Sequence, residues 1–564
     1  MYLSLPPSGG KLVQQDFHTQ GACVSKLSLV DWSSNPTVCN VCPPGEKLAQ
    51  QDFHSTIDRV SKLSLVHRNS NPCGVMGATA SNCTTKANIK SKLNLERPNW
   101  FPLVGSGYEV LRLVKHFKFY HLMWAELMRR YGPIVGLRLG RDRVVIVSGL
   151  DAIREVYSKD QFDGRPDGFF FRIRSFDKRL GVVFTDGANW EIQRRFSVKT
   201  LKSLGMGRTG MVNSLEREAE EMIHHLRKLS RTQKVISMHN AFDISVLNAI
   251  WTLIAGKRFE LDDKKLEWVM ETIHKSFRVI DMSGGVLNQF PPIRYVLPDK
   301  SGFAPLLNLL SPLWKFLQGT IKCIQSKLDQ PDNPDCFIAS YLRELNNNER
   351  HSSFTNEQLL CLCLDLFQAG SETTSNTLGY GIAHMLHHPE IVQKIHQELD
   401  SVVGRYRLPL LSDRPYLPYT EAVLCEIQRI SNIAPLAIAH RTVAPVQLGT
   451  YVIPKNTITL VSIYSLHMDK TYWGDPEAFR PERFLSEMGD KLITHEYFIP
   501  FGSGKRRCLG ESLAKSSLFL FFTAFMHAFI VEPAEEGKLP ELDGIDGITL
   551  SPSPYYVKLK ERLI

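Results

Sequence analysis

Near the end of the chain, one cysteine sits in a ten-residue frame that leaves few folds open: Phe501-Gly502-Ser503-Gly504-Lys505-Arg506-Arg507-Cys508-Leu509-Gly510. Glycines at 502, 504 and 510 let the backbone turn tightly and aim N–H groups at the Cys508 sulfur. Phe501 supplies an apolar wall, and Arg506 a cation for an anionic group. A thiolate that ligates a haem iron needs this setting: it must be held in place, shielded from oxidation and given hydrogen-bond donors. The run 518–531 is apolar except for Thr523 and His527, and reads as a buried core helix able to support a flat cofactor. The plainer alternative is a glycine-rich loop around a buried cysteine. Cys508 is therefore the candidate metal ligand, with Phe501 and Arg506 as candidate cofactor contacts.

A second group of residues lies on a long helical pattern. It starts at Thr355, whose Gln358 three positions on makes a capping box, continues through Met385 and stops before Pro389. Inside it, Ala369 and Gly370 are small enough for a cofactor and a diatomic ligand to approach the backbone. Thr373 can hydrogen-bond bound dioxygen and Glu372 can feed protons toward it, the acid–alcohol pair that O–O heterolysis requires. Seen alone, the same residues would be a solvated cluster. Trp190 and Arg194 are four apart and can face one propionate together. Glu426 and Arg429, three apart, share a helix face, where a surface ion pair is the bland reading.

Elsewhere, amphipathic patterns predict helices over 120–131 and 215–229, and 144–147 suits a buried strand. Helices dominate, with short strands near 133–147 and 438–462. The formal charge of +9 is spread over 67 basic and 58 acidic residues without a dense basic block, which argues against a nucleic-acid partner. The 11 cysteines form no disulfide framework, and a reducing, cytosol-facing setting is expected. No apolar run reaches the length of a membrane span, and the start lacks a secretory-signal layout. Residues 1–96 stand apart: the segment 11–36 recurs as 47–72, and the intervals are polar and rich in Ser, Asn and Pro. This predicts a repeat-containing, poorly ordered segment ahead of a domain spanning 97–564, with Cys39-x-x-Cys42 as a bare thiol pair.

The loop around Cys508 resembles the haem-binding loop of cytochromes P450, FxxGxRxCxG, at every fixed position. Ala369 to Thr374 resembles the family's oxygen-activating motif, Glu426-Ile427-Gln428-Arg429 its ExxR, and Pro481-Glu482-Arg483-Phe484 its PERF segment. Trp190-Glu191-Ile192-Gln193-Arg194 is similar to its WxxxR helix, and His440 stands where microsomal members often place a propionate-binding histidine, although Ala439 replaces their usual Pro. The resemblance implies a mainly α fold with small β-sheets, a triangular helical prism around a buried haem b. It implies monooxygenation: one oxygen atom from O2 enters a small lipophilic substrate, such as a terpenoid, a steroid hormone or a xenobiotic. It also implies that Glu426, Arg429 and Arg483 form a buried structural network.

Phe162 to Pro166, Gln193 to Phe196 and Asn248 to Trp251 resemble microsomal, particularly arthropod, members. That branch implies the cytosolic face of the endoplasmic reticulum membrane and electrons from NADPH through a separate NADPH-cytochrome reductase, with cytochrome b5 a second donor. Lys505, Arg507 and Lys515 are the candidates for the basic docking face. Such members carry an N-terminal anchor helix, where this chain has its polar repeat, so membrane contact is expected through the apolar 281–305 region. Substrate recognition is expected from 167–182, with Phe169, Phe170 and Phe171, and from 281–305, the helix before Ala369, 432–438 and 547–552. Two rivals use the same loop: a haem-thiolate isomerase or dehydratase working without O2, and a non-catalytic haem sensor. Neither has a use for the Glu372–Thr373 pair.

Overall fold

The computed structural model describes residues 105–279, 285–330 and 334–562. The internal repeat, the Cys39–Cys42 pair and the boundary near residue 97 lie outside them. The longer helices are α1 (Gly107–Phe117), α2 (Tyr120–Tyr131), α3 (Leu150–Ser158), α4 (Gly187–Ser203), α5 (Thr209–Thr232), α6 (Asp243–Ala255) and α7 (Lys264–Val279). They continue with α8 (Phe303–Gln325), α9 (Phe337–Leu345), α10 (Asn356–His387), α11 (Pro389–Val402), α12 (Pro418–Ser431) and α13 (Glu511–Ala528). The strands are β1 (Ile134–Leu139), β2 (Asp142–Val147), β3 (Ile236–Ser237), β4 (His440–Arg441), β5 (Val446–Leu448), β6 (Tyr451–Ile453), β7 (Thr457–Val461), β8 (Phe529–Pro533) and β9 (Tyr556–Glu561).

α10 organises the rest. The Thr355 hydroxyl accepts the Gln358 N–H at 3.0 Å and caps the first turn, while the Gln358 side chain reaches away to Gly181, so only half of the expected capping box forms. Pro389 cannot continue the hydrogen-bond ladder, and α10 ends at His387. Over its 32 residues almost every side chain is buried, which is possible only because α6, α8, α12 and α13 pack around it. Cys361 and Cys363 are buried there as small apolar side chains.

The four-stranded sheet runs β1-β2-β7-β4, with β2 and β7 parallel (Val144 opposite Ile458) and the other pairs antiparallel. A three-stranded sheet, β3-β9-β8, and the β5–β6 hairpin complete the strands of the described residues. The apolar 518–531 run divides: α13 ends at Ala528 and Phe529 opens β8. A segment buried on all sides has no periodicity to mark that change.

The ExxR residues form a closed cluster on α12. Arg429 makes two bonds to Glu426, at 2.7 and 2.8 Å, and both side chains are inaccessible to solvent. Glu426 also accepts Arg483 Nε at 3.1 Å, and Arg429 donates to the carbonyls of His467 and Pro476. Those carbonyls belong to the chain leading to the cysteine loop, so the cluster fixes its approach. Losing Glu426 would leave the buried Arg429 without a counter-charge, a cost of about 3–5 kcal/mol.

Candidate active site

A cavity of about 340 Å³ lies between the cysteine loop and α10, with Cys508 on one wall and Ala369, Gly370 and Thr373 on the other. The loop needs its glycines for different reasons. Gly502 and Gly504 have φ of +68° and +66°, and a Cβ on Gly504 would stand 2.4 Å from the Tyr157 carbonyl oxygen. Gly510, at φ −91°, needs no left-handed conformation; it opens α13, and its N–H bonds to the Cys508 sulfur. The Cys508 N–H donates to the Phe501 carbonyl at 3.0 Å, closing the loop, and Phe501 lines the cavity. Cys508 is open to the cavity, but the protein around it still desolvates the sulfur; this raises the thiol pKa and outweighs Gly510, Arg194 and Arg507, which favour the thiolate. A coordinated metal reverses that balance, because a ligating thiol gives up its proton outright.

Beside the cysteine, the cavity wall carries Arg165, Arg194 and Arg506 with Trp190 and His440. Arg506 donates through Nε and Nη2 to the Asp163 carbonyl, at 2.9 and 2.6 Å, and its guanidinium lies 3.6 Å over the Trp190 ring. Its Nη1 and the Trp190 Nε1–H are buried without a protein partner. Arg194, on the same face of α4 as Trp190, donates to the Arg507 carbonyl at 2.6 Å. Arg165 spends its donors on the carbonyls of Val183, Ile438 and Ala439. Burial, then the repulsion of Arg165, brings the Arg506 guanidinium down to about 8. His440 Nδ1 lies 2.8 Å from the Phe162 carbonyl, so that nitrogen carries the proton, and burial keeps the ring neutral.

This wall fits the two propionates of a haem. Its guanidinium groups are close enough to repel one another, and two buried N–H donors are left for an anion to accept from. Arg165 was missed as a site residue; the sequence signal was there, in Phe162 to Pro166, but served only as a family marker.

The distal wall separates the two members of the acid–alcohol pair. Thr373 faces the cavity, its hydroxyl donating to the Ala369 carbonyl at 2.8 Å. Ala369 and Gly370 line it as well, and a Cβ on Gly370 would come within 3.2 Å of Ile250, so that glycine also lets α6 approach. Glu372 is not among the lining residues. It is fully buried on another face of α10, where it receives Arg278 at 2.5 Å, Asn376 at 2.9 Å and the Thr549 hydroxyl at 3.2 Å, and pairs with His274. Burial would raise its pKa, but His274 and Arg278 outweigh burial and hold the carboxylate charged.

Of the expected recognition segments, Val182, Leu366, residues 432–438 through Ile433 and Ala434, and Ile548 with Thr549 line the cavity, as does Val183 just beyond the first of them. Phe169, Phe170 and Phe171 do not; they pack into the core, with Arg294 4.1 Å over the Phe169 ring. The described part of 281–305 does not line it either, and Phe277, at the end of α7, does.

A profile of the cytochrome P450 family matches residues 95–559. Farnesoate epoxidase of Bombyx mori is 39% identical over 465 residues, covering 82% of this chain and 93% of its own. Probable cytochrome P450 303a1 of Drosophila melanogaster is 36% identical, covering 82% of this chain and 94% of its own. Human cytochrome P450 2U1 is 35% identical, with coverage of 78% and 81%. The cysteine loop, the arginine-rich wall beside it and these matches agree: the chain belongs to the cytochrome P450 family, as a haem monooxygenase with a mainly α fold.

Proposed function

We propose that this enzyme inserts one oxygen atom from O2 into a small apolar terpenoid, drawing electrons from NADPH through a separate flavoprotein reductase. The observation that carries the reading is the pairing of walls across one cavity: the Cys508 sulfur on one side, the Thr373 hydroxyl on the other, and apolar side chains such as Ile250, Phe277, Leu366 and Ile548 between. A bound haem would supply O2 activation and oxygen transfer. The chain's own residues hold it and deliver protons. Cys508 would ligate the iron, while Trp190, Arg194, Arg506 and His440, joined by Arg165, would bind the propionates. A propionate there would favour the charged form of His440, whose Nδ1–H is already committed to Phe162. Thr373, open to the cavity, would hold a proton donor beside the oxygen site.

The terpenoid reading rests on the farnesoate named for the Bombyx mori relative and on the scarcity of charged groups in the distal wall. Electron donors, the reductase and secondarily cytochrome b5, would dock against the side bearing Lys505, Arg507 and Lys515; these pair with Asp160 and Glu511, which a partner's acidic groups would compete with. Attachment to the endoplasmic reticulum membrane would use the exposed Val286, Phe290, Tyr295 and Val296. No helix among the described residues is long and apolar enough to cross a membrane. The catalytic domain would begin near residue 97, close to where the family match starts. The test is reconstitution with reductase, NADPH and a farnesoate: a product heavier by one oxygen is expected, and substrate-independent NADPH loss with no oxygenated product would overturn the reading.

A further inference from the structure

α3 buries Ile153 and Val156 in the apolar cluster it shares with β2 and β7, and Tyr157, four residues on from Ile153, continues that face at the end of the helix. The Tyr157 ring lines the cavity and meets His440 edge-on, with centroids 5.7 Å apart. Its hydroxyl reaches the cysteine loop, 3.5 Å from where a Cβ on Gly502 would stand, and lies near enough to Arg165 to feel that charge. The side chain keeps some accessible surface, as a group bordering a cavity does, while protein surrounds the hydroxyl. Among the described residues that hydroxyl has no hydrogen-bond partner. An unpartnered buried hydroxyl is costly in a folded chain, and a ligand oxygen would satisfy it.

The donors of this wall fall into two groups. Arg506 Nη1 and the Trp190 Nε1–H lie together, guanidinium over indole, and both are unpartnered. Around Arg165 and His440 the donors are largely committed: Arg165 bonds the carbonyls of Val183, Ile438 and Ala439, and His440 gives its Nδ1–H to Phe162. The Nε2 of a neutral His440 is an acceptor and would repel a carboxylate. The Tyr157 hydroxyl stands beside both residues as a neutral donor. Resting on the haem-binding reading above, we propose that Tyr157 hydrogen-bonds one haem propionate, the one on the Arg165–His440 side, while Arg506 and Trp190 hold the other. Arg165 supplies positive charge there and Tyr157 the directed bond. Burial pushes the phenol up to about 12, against the opposing pull of Arg165, so it remains a donor at neutral pH. The Tyr157 carbonyl packs against Gly504, which fixes this donor relative to the loop that carries Cys508.

The experiment measures haem transfer from the holoenzyme to apomyoglobin for wild type, Tyr157→Phe, Arg506→Gln and the double variant. Tyr157→Phe should release haem about tenfold faster than wild type, the scale of one hydrogen bond to a charged acceptor. The losses should multiply in the double variant, because the two residues hold different carboxylates. The same proteins are then loaded with an iron porphyrin that has methyl groups in place of both propionates. With it, Tyr157→Phe and wild type should release at the same rate, which a merely structural role would not produce. The haem-free Tyr157→Phe protein should unfold at the same or higher urea concentration than wild type, since an unpartnered buried hydroxyl is gone. The red-shifted Soret band of the reduced, carbon monoxide-bound protein should survive in every variant. An unchanged release rate in Tyr157→Phe, with that band present and Arg506→Gln faster, would overturn the Tyr157 assignment alone. A faster release that persists with the propionate-free porphyrin would also overturn it, and a double variant no faster than the faster single would overturn the division between two carboxylates. If the folded wild type takes up no haem, the haem-binding reading falls and the assignment with it.

Discussion

The two buried charge clusters that border the cavity are built on opposite terms. On the Cys508 side, Arg165, Arg194 and Arg506 crowd together, bound mostly to carbonyls, with Arg506 Nη1 and Trp190 Nε1 left as donors without protein acceptors. On the far side, Glu372 is answered by Arg278, His274, Asn376 and Thr549. Both sites desolvate charge, which is costly unless it is compensated. The first leaves two donors for an anion such as a propionate, and the second is answered largely within the chain, with one Glu372 oxygen left without a hydrogen-bond partner. The first cluster thus suits the proposed propionates, and the second is largely self-compensated. The Glu426–Arg429–Arg483 cluster is of the second kind.

Breaking a self-compensated cluster should cost folding; breaking the ligand-directed one should cost binding. Glu426→Ala leaves Arg429 in the interior without a carboxylate, and urea unfolding should show a loss of about 3–5 kcal/mol, with little haem-loaded protein recovered. Glu372→Gln should cost about 1–3 kcal/mol, because its hydrogen-bond donors lose a charged acceptor. That loss should depend on pH. The His274 contribution is fully present below its unfolded value of 6.5 and disappears as pH rises through its raised folded value. The Glu372 contribution is present above its unfolded value of 4.5 and is lost as pH falls through its lowered folded value. The gap in thermal midpoint between wild type and Glu372→Gln should therefore be widest from about pH 5 to 7 and narrow on the acid side. Arg506→Gln should have the smallest effect on folding: the haem-free protein should unfold at the same or slightly higher urea, while haem transfer to apomyoglobin should speed up by about tenfold, the equivalent of one charge-assisted bond. Arg506→Gln destabilising the haem-free protein as much as Glu372→Gln would erase the contrast.

What the sequence conveyed follows the same division. The cysteine loop is a local pattern, with Phe501, Gly504, Arg506, Cys508 and Gly510 in one register, and the structure brings it to the cavity intact. Strong periodicity was equally legible: the helix expected over 120–131 is α2 to the residue. β8 was hidden because Phe519 to Phe529 is buried on every side, so no change of period marks where α13 ends. The orientation of Glu372 was readable in principle. Ala369, Thr373 and Thr377 follow a four-residue stripe that faces the cavity, and Glu372 and Asn376 fall on the next stripe round the helix. Its partners were not readable, since His274, Arg278 and Thr549 come from segments about a hundred residues before it and nearly two hundred after it, joined only by the fold.

The central claim is that Cys508 is the thiolate ligand of a haem held by this cavity. It is tested most directly by the absorption spectrum of the dithionite-reduced protein under carbon monoxide, recorded beside Cys508→Ala. The account predicts a strongly red-shifted Soret band, the mark of thiolate ligation, present in the wild type and lost in the variant. A histidine-like band, or no haem absorbance in well-folded wild-type protein, would contradict it.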